Sequence, residues 1–221
     1  MAANDIDMTA LGGVWERTLL VTPDGRRDET SRVWWLQLGE ICGDIRAPAG
    51  AASAETAFAG RLSRRDDAFR WTPEIARGSV TDGAPDEGRL SFDGDILREE
   101  GVHSPYVEHW RRVVPQGLGD RAVRFVVPGR AETGILMEIG PYAFCARPLA
   151  GSGAAFVLSE RIAGFYMVHL AVGCPALEGE RIAWPRISGD IVTFPPGLIG
   201  PPAAFAAWPA DRLIAVPEPA R

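Results

Sequence analysis

The sequence predicts an all-β fold, and three features carry that prediction. Short runs rich in Val, Ile, Trp, Phe and Thr recur at spacings of roughly 8–12 residues, the rhythm of sandwiches and barrels. Gly, Pro or Asp punctuates nearly every run. The 18 prolines and 25 glycines are spread so evenly that few windows could hold a helix.

About fourteen candidate strands follow from this reading. The first, Gly13 to Val21 (GVWERTLLV), ends at Thr22-Pro23-Asp24-Gly25, a hairpin signal, and the chain returns through Thr30 to Leu38 (TSRVWWLQL). Val33, Trp34 and Trp35 suit a pleated surface. Ile41 to Arg46, Thr56 to Ser63 and Ala68 to Pro73 come next, although the alanine-rich 51–61 stretch fits a short helix as well as a strand. Arg89 to Arg98 turns at Asp93-Gly94-Asp95, and Tyr106 to Val114 (YVEHWRRVV) alternates cleanly. Pro115-Gln116-Gly117-Leu118-Gly119-Asp120 is the best internal break, giving halves 1–117 and 118–221. Beyond it lie Arg121 to Val127, Gly134 to Ile139, Ala143 to Arg147, Ala155 to Glu160, Gly164 to Val172, Ile182 to Arg186, Asp190 to Phe194 and Leu213 to Val216. Phe194 to Pro202 (FPPGLIGPP) reads as a rigid apolar loop, suited to covering a barrel mouth or to contacting a neighbouring chain.

Composition narrows the function classes. A net charge of −6 and a pI near 5.2 argue against nucleic acid as partner, because phosphate binding needs a cationic face. All 23 basic residues are arginine, which excludes a lysine Schiff base. Cys42, Cys145 and Cys174 lack CxxC spacing, and His103, His109 and His169 lack HxH or HExxH spacing, so no metal is expected. The cysteines read as small buried hydrophobes in a reducing compartment. No phosphate-binding glycine loop and no G-x-S-x-G elbow is present, and no cofactor is expected. The opening MAANDIDMTALGG has no signal-peptide character, and no apolar run reaches the ~18 residues of a membrane span. A cytoplasmic protein is expected, with no membrane partner.

Gly13-Val14-Trp15 matches the G-x-W opening of lipocalins, in which the tryptophan packs across the barrel floor beneath an arginine of the last strand. Arg111 and Arg112 are the candidates for that arginine. Further matches follow in order: Trp35-Leu36-Gln37, Asp44-Ile45-Arg46-Ala47-Pro48, Arg98-Glu99-Glu100-Gly101, Tyr106-Val107-Glu108-His109-Trp110-Arg111, and Gly134 to Gly140 (GILMEIG). From Gly13 to Gly173 the chain resembles the Hri-one family, lipocalin-like proteins of fungi and bacteria. The resemblance implies two linked β-barrel-like halves, the first lipocalin-like, and an undefined biochemical role. The acidic loop with Asp82, Asp86 and Glu87, and the Pro-rich tail, depart from that pattern.

Strand parity supplies candidate site residues. In Tyr106 to Trp110, Tyr106, Glu108 and Trp110 share one face, with Val107, His109 and Arg111 on the other. Should the aromatic face point inward, Glu108 is a desolvated carboxylate suited to general acid or base work; paired with a buried arginine, it would instead fix register. Asp44 and Arg46 share a face too, either neutralising each other or forming the polar end of a pocket, with Arg46 anchoring an anion. Glu108, Asp44 and Tyr106 are therefore the candidate catalytic residues. Arg46, Trp35, Gln37, Trp110, Trp15 and the loop residue His103 are the candidate ligand contacts. Glu100 is singled out by the family resemblance alone.

Three functions fit. The first is a binding module holding a small hydrophobic or aromatic molecule in a barrel cavity. The second is a cofactor-free lyase, isomerase or cyclase using a buried carboxylate. The third is an adaptor with filled barrels, contacting partners through Phe194 to Pro202. A homodimer remains open in each.

Overall fold

The computed structural model describes residues 6–78, 83–126, 133–149, 153–188, 191–194 and 206–215. Within them nearly all the regular structure is antiparallel strand, organised as a closed barrel followed by a second sheet. The first half supplies β1 (Gly13–Val21), β2 (Arg27–Asp28), β3 (Arg32–Leu38), β4 (Ile41–Ala47), β5 (Thr56–Arg65), β6 (Ala68–Arg77), β7 (Asp86–Asp93), β8 (Ile96–Gly101) and β9 (Val107–Pro115). Each long strand pairs with the next, and β1 pairs with both β3 and β9, so eight strands close and β2 extends β1. Closure leaves no open edge along the barrel.

Local chemistry explains the main turns. Gly25, at φ +81°, donates its N–H to the Thr22 carbonyl at 2.8 Å, closing the expected hairpin into β2. The glycine of the G-x-W motif is required by the barrel seam. Gly13 has φ +142°, and a Cβ there would lie 2.4 Å from the Val114 carbonyl oxygen.

The second half contributes β10 (Arg121–Val126), β11 (Thr133–Ile139), β12 (Tyr142–Pro148), β13 (Ala154–Ile162), β14 (Phe165–Val172), β15 (Arg181–Ile182), β16 (Arg186–Ser188), β17 (Ile191–Phe194) and β18 (Ala206–Ala215). They form one sheet in the order β15-β14-β13-β12-β11-β10-β18-β17-β16. This is the second barrel-like half, and Pro115 to Asp120 joins the two. Several sequence expectations need adjusting. The 51–61 stretch is not helical: residues 51–55 are irregular and Thr56 opens β5. Ile182 to Arg186 is not one strand, because Ala183 to Pro185 is irregular and Pro185 has no N–H to give a ladder. Of the Pro-rich Phe194 to Pro202, only Phe194 lies among the described residues, at the end of β17.

Three clusters make the core. Inside the barrel, Trp15, Trp35, Phe58, Leu62, Phe69, Trp71, Leu90, Leu97 and Trp110 are buried together. The alternate residues of the same strands point outward and meet the second sheet. Val14, Leu36, Ile45, Ala57 and Ile75 pack with Ile135, Met137, Phe144, Phe156 and Leu170. Strand β4 is thus buried on both faces, which explains its apolar outward positions beside inward Asp44. Gly43 lets the Phe144 ring approach the barrel wall, since a Cβ there would lie 2.5 Å from Phe144 Cε1. A bidentate pair from Arg124 to Glu74 at 2.8 Å adds a polar tie between the halves. The opposite face of the second sheet has its own core, including Val123, Phe125, Cys145, Val157 and Trp184.

Candidate functional site

The barrel is filled at one end and hollow at the other. At the filled end, Trp15 donates its indole N–H to the Leu11 carbonyl at 2.8 Å, and the Arg112 guanidinium lies 4.3 Å above the Trp15 ring. Arg112 also donates to the Ala10 carbonyl, from the short 3₁₀ turn Met8–Leu11 that crosses the opening. Arg112 therefore takes the closing position, and Arg111 points outward to Glu16. Trp35 stacks on Trp15 at 5.8 Å and meets Trp71 and Trp110 edge-on at 5.7 Å. These rings seal the floor.

Above them lies a cavity of about 270 Å³, lined only by first-half residues. The turn residues Thr22 and Pro23 and the loop residue Ser104 frame its mouth. Its apolar wall is Trp35, Phe58, Trp71, Tyr106 and Trp110. Its polar wall is Arg17, Asp44, Arg46, Asp86, Glu99 and Glu108. The volume of about 270 Å³ falls just below the ~300–1,000 Å³ usual for small-molecule pockets, while the mix of aromatic wall and converging polar groups is typical of them.

The polar groups divide into pairs and remainders. Arg46 donates to both Asp44 oxygens, at 2.6 and 3.3 Å. Arg17 donates to Glu108 at 2.7 Å and to Asp28 at 3.2 Å. Glu108 is therefore held by a buried arginine. Burial opposes the charge on Arg46, but Asp44 and Glu108 more than offset it and keep that guanidinium firmly protonated. Glu99 faces Glu108 directly across β8 and β9 and takes only neutral donors, the Tyr106 hydroxyl at 2.7 Å and the Trp110 indole N–H at 3.1 Å. Burial, reinforced by the Glu108 charge, pushes the Glu99 carboxyl well above the ordinary carboxylate range. Burial likewise lifts Asp86 to about 6; Arg46 opposes that lift, and Asp44 and Glu108 add to it. The Tyr106 hydroxyl is raised by burial and by its Glu99 partner.

The structure thus brings Glu108, Asp44, Tyr106, Arg46, Trp35 and Trp110 to one cavity. Trp15 lies beneath it in the floor. Gln37 is buried below, accepting from the Trp35 indole at 3.1 Å, so it braces the ring from outside the cavity. His103 lies outside as well, 2.7 Å from Glu87 in an exposed loop. Glu100 pairs with Arg98 on the outer surface, and its neighbour Glu99 is the inward one. Sequence reasoning missed Arg17, Asp86, Glu99, Phe58 and Trp71. Parity could have found Arg17, two residues beyond Trp15. It could also have found Glu99, two beyond buried Leu97. Among the described residues no group of three or more His, Cys, Asp or Glu is placed to hold a metal ion.

No family model matches the chain, and no curated protein does. Among solved structures it is similar to the crystal structure of the uncharacterized protein YLR301w from Saccharomyces cerevisiae. The identity is 13% and the TM-score 0.63, with 91% of this chain and 98% of that chain covered. At that identity the likeness shows the fold, and it extends through both halves.

Proposed function

We propose that this chain is a lipocalin-like small-molecule binding protein of the Hri-one type, whose first barrel holds a small aromatic or hydrophobic ligand by its mouth. The observation that carries the reading is the division of the barrel interior. A tryptophan floor closes one end, and an unfilled cavity with an aromatic wall and a polar wall opens at the other. A barrel serving only as scaffold would be packed along its whole length. Native mass spectrometry of freshly purified protein, compared with its denatured mass, tests this. A dissociable adduct of a few hundred daltons, with tryptophan fluorescence changing on its removal, is expected (order of magnitude for a small-molecule pocket). A clean mass, together with no fluorescence response to a panel of small aromatic compounds, would refute it.

A second reading, a cofactor-free lyase, isomerase or cyclase, is favoured by one observation. Glu99 is a buried carboxyl held above its ordinary range and hydrogen-bonded to Tyr106, a suitable arrangement for a general acid. It places the catalytic carboxyl on Glu99, since Glu108 is engaged by Arg17. A Glu99→Gln variant that retained turnover of any substrate found by the adduct search would remove it.

A further inference from the structure

Resting on the cavity reading above, we propose that the barrel selects a cation: its ligand carries a protonated amine or quaternary ammonium group beside Asp86 and Glu99. The cavity's own charges point there. Four carboxyl groups and two guanidinium groups line it. Arg46 spends two donors on Asp44, and Arg17 divides its donors between Glu108 and Asp28. Asp86 accepts no hydrogen bond from a described residue, and Glu99 receives only a phenol O–H and an indole N–H. Asp86 thus has no hydrogen-bonded cation of its own, and Arg46, which acts on it only through space, is bound to Asp44.

The aromatic wall suits the same ligand. Trp35, Trp71 and Trp110 present ring surfaces to the cavity, and a desolvated organic cation is attracted to such faces. An anion would meet the Asp44, Asp86 and Glu108 carboxylates, and Arg46, which keeps N–H donors beyond the two that Asp44 takes, is already charge-compensated by that carboxylate. A neutral ligand would leave Asp86 unpaired in a partly dry site. The tryptophan floor closes the cavity below, and a volume of about 270 Å³ suits a small occupant.

A consequence for pH follows from the groups facing Asp86: Arg17 on β1, Asp44 and Arg46 on β4, Glu99 on β8, Tyr106, and Glu108 on β9. Asp86 attracts a cation only when ionised. Affinity for a permanently charged ligand therefore rises with pH through about 6, and binding in that range expels a proton.

The test uses the full chain and three one-ring probes: benzyltrimethylammonium, benzyl alcohol and phenylacetate. Each is titrated while the indole N–H resonances are followed by NMR at pH 5 and pH 8. The cation is expected to bind about tenfold or more tighter than either other probe at pH 8. That margin should shrink at pH 5. In Asp86→Asn the cation should weaken by about tenfold while benzyl alcohol is unchanged. Equal or tighter binding of benzyl alcohol or phenylacetate would overturn the charge selection and leave the cavity reading standing. Indole resonances unmoved by all three probes would overturn both.

Discussion

The unliganded protein is expected to be more stable at alkaline pH when Asp86 is replaced by Asn, and unchanged in acid. The Asp86 carboxyl titrates at about 6 in the folded chain, against an ordinary value of 3.8. Between those values the folded state holds a proton that the unfolded state has released. The stability linked to that proton is fully present below 3.8 and is lost as pH rises to about 6. At about 1.4 kcal/mol per pH unit, the interval corresponds to about 3 kcal/mol. Water in the open mouth screens part of this, leaving about 1–2 kcal/mol. Asn carries no charge to desolvate, so the variant escapes that cost. Urea denaturation of both proteins at pH 4 and pH 8 checks it, and comparing the difference at each pH cancels the titration of the other carboxylates. The expected gain for Asp86→Asn is near zero at pH 4 and about 1–2 kcal/mol at pH 8. No gain at pH 8, or an equal gain at both, would refute the electrostatic account of the mouth.

Other outcomes follow from the packing. Phe144→Ala should cost about 3–5 kcal/mol by urea unfolding, because the ring sits against Gly43 with no solvent to replace it. Arg17→Met should cost about 3 kcal/mol at pH 8, read by urea unfolding, by leaving Glu108 without its buried partner. Trp15→Phe, read by thermal unfolding, should cost about 1–2 kcal/mol through loss of the indole bond to Leu11 and a weaker seat for Arg112. Cys42 and Cys145 should not react with a thiol reagent in the folded protein. Burial raises both thiols strongly, and Cys174 is pushed up to about 11.

Period-two patterning made much of this site legible. Tyr106, Glu108 and Trp110 declare a common face from sequence, as do Asp44 and Arg46, and all five reach the cavity. Which face is interior could not be read locally, because outward residues of β3 to β6 such as Leu36, Ile45, Ala57 and Ile75 are also apolar. They cover the second sheet, so both parities of β4 look buried. Asp86 was hidden for a different reason. It opens β7 after an acidic loop, where Asp82 and Glu87 make every charge look solvated. Glu99 and Glu100 are indistinguishable as letters. What separates them is the face set by Leu97 two residues before: Glu99 shares it and pairs inward with Glu108, and Glu100 turns out to Arg98. The break of Ile182 to Arg186 at Pro185 was visible in sequence, as a residue that cannot donate to a ladder.

The contact between barrel and second sheet gives the cavity one hard wall and one soft wall. Strands β3 to β6 are pinned from outside by a continuous apolar layer, so their spacing is fixed by the packing of Phe144, Met137 and Phe156. The outward residues of β7 and β8, such as Arg89, Asp93, Arg98 and Glu100, face water and hold nothing in place but surface ion pairs. Under the proposed binding role, expansion to admit a bulkier guest is therefore directional. It is carried by the strands that bear Asp86 and Glu99, and the Asp44–Arg46 side stays still.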